Sequence, residues 1–118
     1  MTFVCYPRWT TCRKAHKWLD EHRVAYELRD IKTDRPSREE LAAWHSSSGL
    51  PLRKFFNTSG LLYKSLELKN RLPSMSEEDM LELLSTDGML VKRPLLIGED
   101  FVLVGFKEAE WESRLNAR

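Results

Sequence analysis

An α/β fold, with a four-stranded mixed sheet flanked by helices, is predicted for this chain by three observations. Short β-branched and aromatic runs, bounded by turn residues, occur near both ends of the sequence. Apolar residues recur at helical spacing directly after the first of these runs and again near the end of the chain. Between the β-rich ends, from about 36 to 90, the pattern is that of a helical insert.

The elements follow in order. Thr2-Phe3-Val4-Cys5-Tyr6 is aromatic and β-branched and is stopped by Pro7, so it reads as a buried strand. Thr10 to His22 carries apolar residues at Cys12, Ala15, Trp18 and Leu19, a helical spacing with a threonine available as N-cap. Ala25 to Ile31 alternates as a second strand, and the short joints imply a parallel βαβ unit with a right-handed crossover. Ser37-Arg38-Glu39-Glu40 is a capping box that opens a helix ending near Gly49. Phe55-Phe56 and Leu61-Leu62 seed short helices around an Asn57-Thr58-Ser59-Gly60 turn. Ser76-Glu77-Glu78-Asp79 caps a helix carrying Met80, Leu81, Leu83 and Leu84, expected to stop at Asp87-Gly88. Leu95-Leu96-Ile97, the turn Gly98-Glu99-Asp100 and Phe101 to Val104 read as a hairpin, and a helix from about 107 to 115 follows. The sum, βαβ, helical insert, ββα, is a thioredoxin-like order interrupted between its halves. Without repeats, low-complexity tracts or linkers, it reads as a single domain over 1–118.

The 118 residues, 42% hydrophobic, suffice for one core. Nineteen basic against eighteen acidic residues, a net charge of +1, argue against direct nucleic-acid binding through a basic face and leave a protein partner open. No apolar run approaches the roughly 18 residues of a membrane span. Met1 to Pro7 lacks the basic and apolar regions of a signal peptide, so the expected location is the cytoplasm. Thiols stay reduced there, and Cys5 and Cys12 are read as reactive or buried before they are read as a bridge. No paired motif at zinc spacing joins them to His16, His22 or His45.

In an open α/β sheet ligands collect beyond the carboxyl ends of strands, where helix N-termini offer free N–H groups. Tyr6 to Cys12 is the first such place. A thiolate in the first helical turn gains from those N–H groups, and Arg8, Arg13 and Lys14 add charge nearby, so Cys12 is a candidate nucleophile at an exposed, electropositive helix tip. Equally, Cys12 faces inward and packs. Cys5, inside the first strand, reads as an inert buried thiol, and a Cys5–Cys12 bridge needs Cα atoms within about 7 Å. Arg93-Pro94 precedes a buried strand, where an X–Pro bond is able to be cis and to bring Arg93 towards Cys12 as an anion or thiolate partner. The alternative is a strand-edge proline beside a solvated arginine. Arg53-Lys54 and Asn57 lie within reach of the same cleft, although the basic pair reads more simply as a solvated face. The histidines read as surface residues without partners, and Trp18, Trp44 and Trp111 as core. Trp9 precedes the helix and reads as a cap on the pocket or a partner contact.

At these residues the chain resembles the arsenate reductase (ArsC) family of thioredoxin-like proteins, which includes Spx-type regulators. The resemblance rests on Tyr6 to Ala15, Phe56 to Leu66, Asp87 to Leu95 and Val104-Gly105-Phe106. It implies that Trp9 stands where arsenate reductases carry the nucleophilic cysteine, and that Cys12 matches the second cysteine of the Spx-like Cys-x-x-Cys. Of three family arginines, it implies that Arg93 is retained while Asn57 and a position near Gly105 are uncharged. Anion or thiol binding is then expected of Thr10, Thr11, Asn57, Arg93 and Pro94, with Trp9 lining the pocket and Cys12 as the catalytic candidate. Arsenate reduction by the family route is not expected. Three functions follow. One is a thiol-dependent oxidoreductase using Cys12 alone, without a bound cofactor, and with glutathione, bacillithiol or a redox protein as partner. Another is an Spx-like regulator that binds the C-terminal domain of the RNA polymerase α subunit without catalysis. The third is a degenerate family member that binds some other anion or protein.

Overall fold

The computed structural model of the chain describes residues 1–116. Strands β1 (Thr2–Cys5), β2 (Glu27–Asp30), β3 (Leu95–Ile97) and β4 (Val102–Val104) form one sheet in the order β2-β1-β3-β4. β1 runs parallel to β2, with Phe3 beside Leu28, and antiparallel to β3, with Phe3 beside Leu96. β3 and β4 form the expected antiparallel hairpin. Helix α1 (Thr10–Glu21) crosses over between the parallel pair. β2 is shorter than the alternation from Ala25 to Ile31 suggests, because its four residues pair with all four of β1 and no partner strand extends beyond them.

Strand side chains alternate between faces, and this divides the core. Phe3 and Cys5 join Cys12, Ala15, Trp18 and Leu19 of α1 and Trp111 of the last helix. Val4 and Leu95 face the other way, into a cluster with Leu41, Phe55, Phe56, Leu68 and Leu84 of the insert. That insert contains α2 (Arg38–Ser48), α3 (Leu61–Ser65), α4 (Leu68–Arg71) and α5 (Glu77–Leu84), with 3-10 turns at Leu52–Phe55, Leu72–Ser74 and Gly88–Leu90. Helix α6 (Glu108–Asn116) follows β4.

The capping box of α2 is present: the Ser37 hydroxyl accepts from Glu40 N–H, and the Glu40 carboxylate accepts from Ser37 N–H. Gly49 ends this helix in the left-handed region. Further details differ from expectation. The N-cap of α1 is Trp9, with no side-chain bond, rather than a threonine. α5 ends at Leu84, not at Asp87-Gly88, because the Ser85 and Thr86 hydroxyls donate to the carbonyls of Glu82 and Leu83. Asp87 instead opens the next 3-10 turn, its carboxylate accepting from Met89 N–H. Gly88 is sterically required there, since a Cβ would lie 1.8 Å from the Ile31 carbonyl oxygen. Finally, α4 has too few apolar residues to show a period and is held by burial of Leu68 and Leu72. Trp18 and Trp111 are buried, whereas Trp44 is only partly so, with the Arg29 guanidinium 5.6 Å from its ring centroid. His16 is not partnerless: its Nε2 lies 3.4 Å from Asp20, one helical turn on.

Arg29 also forks onto Glu40, its Nη2 donating over 2.8 Å. This ion pair, helped by the Ser37 N–H, lowers the Glu40 pKa to about 2. A depressed carboxyl pKa stabilises the fold fully above the ordinary value of 4.5, and that contribution is lost as pH falls towards about 2. The Glu40 side chain is 39% exposed, so solvent screening limits the effect. Urea midpoints measured between those pH values are expected to fall more steeply in the wild type than in Glu40→Gln.

Candidate functional site

The β1–α1 turn sets the geometry. Trp9 N–H donates to the Tyr6 carbonyl over 2.9 Å, and Arg13 N–H donates to the Trp9 carbonyl over 3.1 Å, which starts α1. Cys12 lies in the first turn and points inward. It is 1% exposed, and Tyr6 N–H donates to its Sγ over 3.2 Å. The exposed sulfur expected at a helix tip is therefore corrected to a buried one. The cause is the apolar stripe itself: Cys12, Ala15 and Leu19 are one face of α1, and that face packs on the sheet.

Cys5 is 2% exposed and both cysteines are free thiols, so no Cys5–Cys12 bridge is formed. Interaction with the neighbouring Cys12 thiol pushes the Cys5 pKa up, with burial acting in the same direction. Cys5 in turn lowers the Cys12 pKa; burial opposes that shift, while Tyr6 N–H and Arg93 support it.

The Arg93–Pro94 peptide is cis. Arg93 is not a solvated arginine: it is 4% exposed, and its Nη1 donates to the carbonyls of Met89 and Val91 at 3.3 Å each. Its Cζ lies 4.6 Å from the Trp9 ring centroid and 5.8 Å from that of Tyr6, a cation–π arrangement. Burial pushes the guanidinium pKa down, and the charge of Cys12 acts against that shift. Among the described residues no carboxylate forms an ion pair with Arg93, and its buried Nε has no hydrogen-bond partner.

A cleft of about 410 Å³ opens beside this cation, lined by Tyr6, Trp9, Asn57, Ser59, Gly60, Leu61, Leu62, Met89 and Arg93. Asn57 is buried; its Oδ1 accepts from the Ser59 hydroxyl over 3.2 Å, and its N–H donates to the Leu90 carbonyl over 2.8 Å. Gly60 leaves room for this side chain, since a Cβ there would meet Asn57 Nδ2 at 2.7 Å. Trp9, Asn57 and Arg93 are thus brought together. Cys12, Thr10, Thr11 and Pro94 do not line the cleft. Nor do Arg53 and Lys54, which border a separate groove of about 680 Å³ with Tyr63, Lys69, Met75 and Met80. Gly105 is a turn residue with φ of +79°; its N–H donates to the Pro94 carbonyl over 2.8 Å and its carbonyl accepts from Trp111 Nε1 over 3.1 Å.

Sequence reasoning missed Tyr6, Leu61 and Met89 as cleft residues. The signal for Tyr6 is an aromatic ring at the carboxyl end of β1. Leu61, read there as a helix-seeding apolar residue, is 86% exposed at the mouth. Chemically, the cleft offers a buried cation, an amide, the Ser59 and Tyr6 hydroxyls and apolar walls, with no cysteine among its lining residues. Among the described residues no group of three His, Cys, Asp or Glu side chains is placed to hold a metal, and no helix is long and apolar enough to cross a membrane.

Comparison with known proteins agrees with this architecture. The model of the ArsC family matches residues 5–114. The chain is 53% identical to the uncharacterized protein YusI of Bacillus subtilis, over 95% of each chain. It is 31% identical to the global transcriptional regulator Spx of Enterococcus faecalis, over 93% of this chain and 82% of Spx. Among solved structures, an ArsC-family-related protein from Bacteroides fragilis superposes with a TM-score of 0.93 at 55% identity, covering 95% of this chain and 94% of that one.

Proposed function

The chain belongs to the ArsC family, and from that premise we propose that it is a non-catalytic regulator of the Spx kind, working by binding the C-terminal domain of the RNA polymerase α subunit. One observation carries the non-catalytic part. At the place where the family resemblance puts the attacking sulfur stands an indole, packed 4.6 Å from the Arg93 guanidinium. Losing a nucleophile removes a covalent route altogether, whereas losing one anion ligand slows it by about 10²–10³-fold. Cys12 does not replace the missing sulfur, because a thiol that is 1% exposed is closed to substrates. Similarity to Spx over most of the chain and a net charge of +1 support a protein partner rather than DNA.

The test is direct binding of the full chain to the isolated C-terminal domain of the polymerase α subunit by biolayer interferometry. A Kd in the micromolar range, unchanged in Cys12→Ser, is the expected result. No binding at high micromolar concentration removes the regulator reading.

The lowered Cys12 pKa favours a second reading, a thiol-dependent oxidoreductase. In it the β1–α1 packing opens locally, and the exposed Cys12 thiolate attacks glutathione disulfide, forming a mixed disulfide at Cys12 and releasing one glutathione thiolate; a second thiol then resolves the adduct. Accumulation of a Cys12–glutathione adduct in the folded protein, seen by mass spectrometry, supports this reading over the first.

A further inference from the structure

Resting on the non-catalytic reading of the site, we propose that the cleft between Trp9 and Leu61 binds an amphiphilic monocarboxylate, held by the Nε–Nη2 edge of Arg93. Among the described residues, all hydrogen bonds of this guanidinium go through Nη1, to two carbonyls. Nε has no partner, and among the described residues Nη2 makes no hydrogen bond. That leaves two coplanar N–H directions, the geometry that a carboxylate matches with both oxygens. A buried cation without a paired carboxylate is costly, and a bound anion reduces that cost.

The walls decide which anion. Besides Arg93, the cleft is bounded chiefly by Tyr6, Trp9, Leu62 and Met89, and Leu61 stands 86% exposed at its mouth. A single cation balances one negative charge; an inorganic oxyanion with more charge and no apolar part leaves both the excess charge and the walls uncompensated. A carboxylate with a short apolar tail satisfies both, and 410 Å³ lies within the usual range of about 300–1,000 Å³ for small-ligand sites. Two sources supply this chemistry, a free aliphatic acid or the C-terminal residue of a peptide. Nε is shielded from solvent, so the ligand reaches that edge when the cleft wall shifts, and Trp9, which lines the cleft and packs on the guanidinium, senses that shift. Binding is therefore visible at Trp9.

The experiment is an NMR titration of the full chain, following the Arg93 Nε–H and Trp9 indole N–H signals, with 4-methylpentanoate, its amide, acetyl-Leu-Leu with free or amidated C-terminus, and arsenate. Saturable shifts with both free carboxylates, and none with either amide or with arsenate at equal concentration, are expected. Tighter binding of the free peptide assigns the source to a chain terminus; tighter or equal binding of the small acid assigns it to a free acid. In Leu61→Glu, which leaves the core untouched, affinity is expected to fall about tenfold or more, from lost apolar contact and like-charge repulsion. Absence of saturable shifts with both carboxylates, equal response to the amides, or a response to arsenate of equal strength would overturn the proposal. Loss of polymerase binding with carboxylate binding intact strikes only the regulator reading. The reverse outcome strikes only the present one.

Discussion

In Trp9→Cys the new thiol is expected to react with iodoacetamide at least ~100-fold faster than Cys12 does in the folded wild type, yet arsenate reduction stays near background. The reasoning starts from position. Residue 9 is the N-cap of α1, half-buried at the edge of the cleft, with the Arg93 guanidinium under its side chain. A sulfur there meets free helix N–H groups and a fixed positive charge, conditions that bring thiol pKa values to about 3.5–7.5. It is therefore largely ionised at neutral pH and borders an open cleft, whereas Cys12 is ionisable but enclosed. Arsenate turnover needs more than the sulfur. The family resemblance places two of its three cations at Asn57, here a buried amide bonded to Ser59, and near Gly105, here a turn glycine, so the chain is expected to lack both. If each missing anion ligand lowers the rate by about 10²–10³-fold, the two together leave roughly 10⁴–10⁶-fold less activity than a complete site. Alkylation followed by mass spectrometry and an arsenate-dependent thiol-oxidation assay separate the two halves of this expectation.

Trp111→Ala is expected to cost about 3–5 kcal/mol, the range for removing a buried aromatic side chain. The indole is 1% exposed and meets Phe106, Trp18 and Phe3 edge-on, with centroids 4.9, 5.9 and 6.2 Å away. Its Nε1–H donates to the Gly105 carbonyl over 3.1 Å. Gly105 N–H in turn donates to the carbonyl of Pro94, so the substitution loosens the segment that carries Arg93. Thermal midpoints are expected to drop by about 12–25 °C, with Trp111→Phe recovering part of the loss because it keeps one aromatic ring in the core while losing the N–H bond and part of the indole volume. A drop smaller than a few degrees would mean that α6 contributes little to the core.

Most of the scaffold was legible in the sequence because its signals are local. Pro7 stops β1, the Ser37–Glu40 box starts α2, and Leu95 to Val104 carries its own turn. The alternation Phe3–Val4–Cys5 already implies a two-faced sheet. What failed to show was set by tertiary packing: α4 exists because Leu68 and Leu72 are buried, and Ser85 and Thr86 ended α5 through hydroxyl bonds that no periodicity reveals. At the site, residue types were easier to read than directions. Trp9, Asn57 and Arg93 stood out by chemistry or resemblance and share one cleft. The direction of Cys12 was ambiguous, since a cysteine opening an apolar stripe suits a helix-tip nucleophile and a core residue equally. Tyr6, Leu61 and Met89 come from three segments whose meeting depends on how the insert folds back over the sheet.

The central claim, that this loop binds rather than reacts, is tested most directly by the alkylation rate of Cys12 in the folded wild-type chain at neutral pH, compared with the same chain in urea. Protection of roughly 10³-fold or more is expected, because reaction then requires local opening of the β1–α1 packing. A folded-state rate equal to or above that of the unfolded chain would contradict the claim and make Cys12 an accessible, activated thiol.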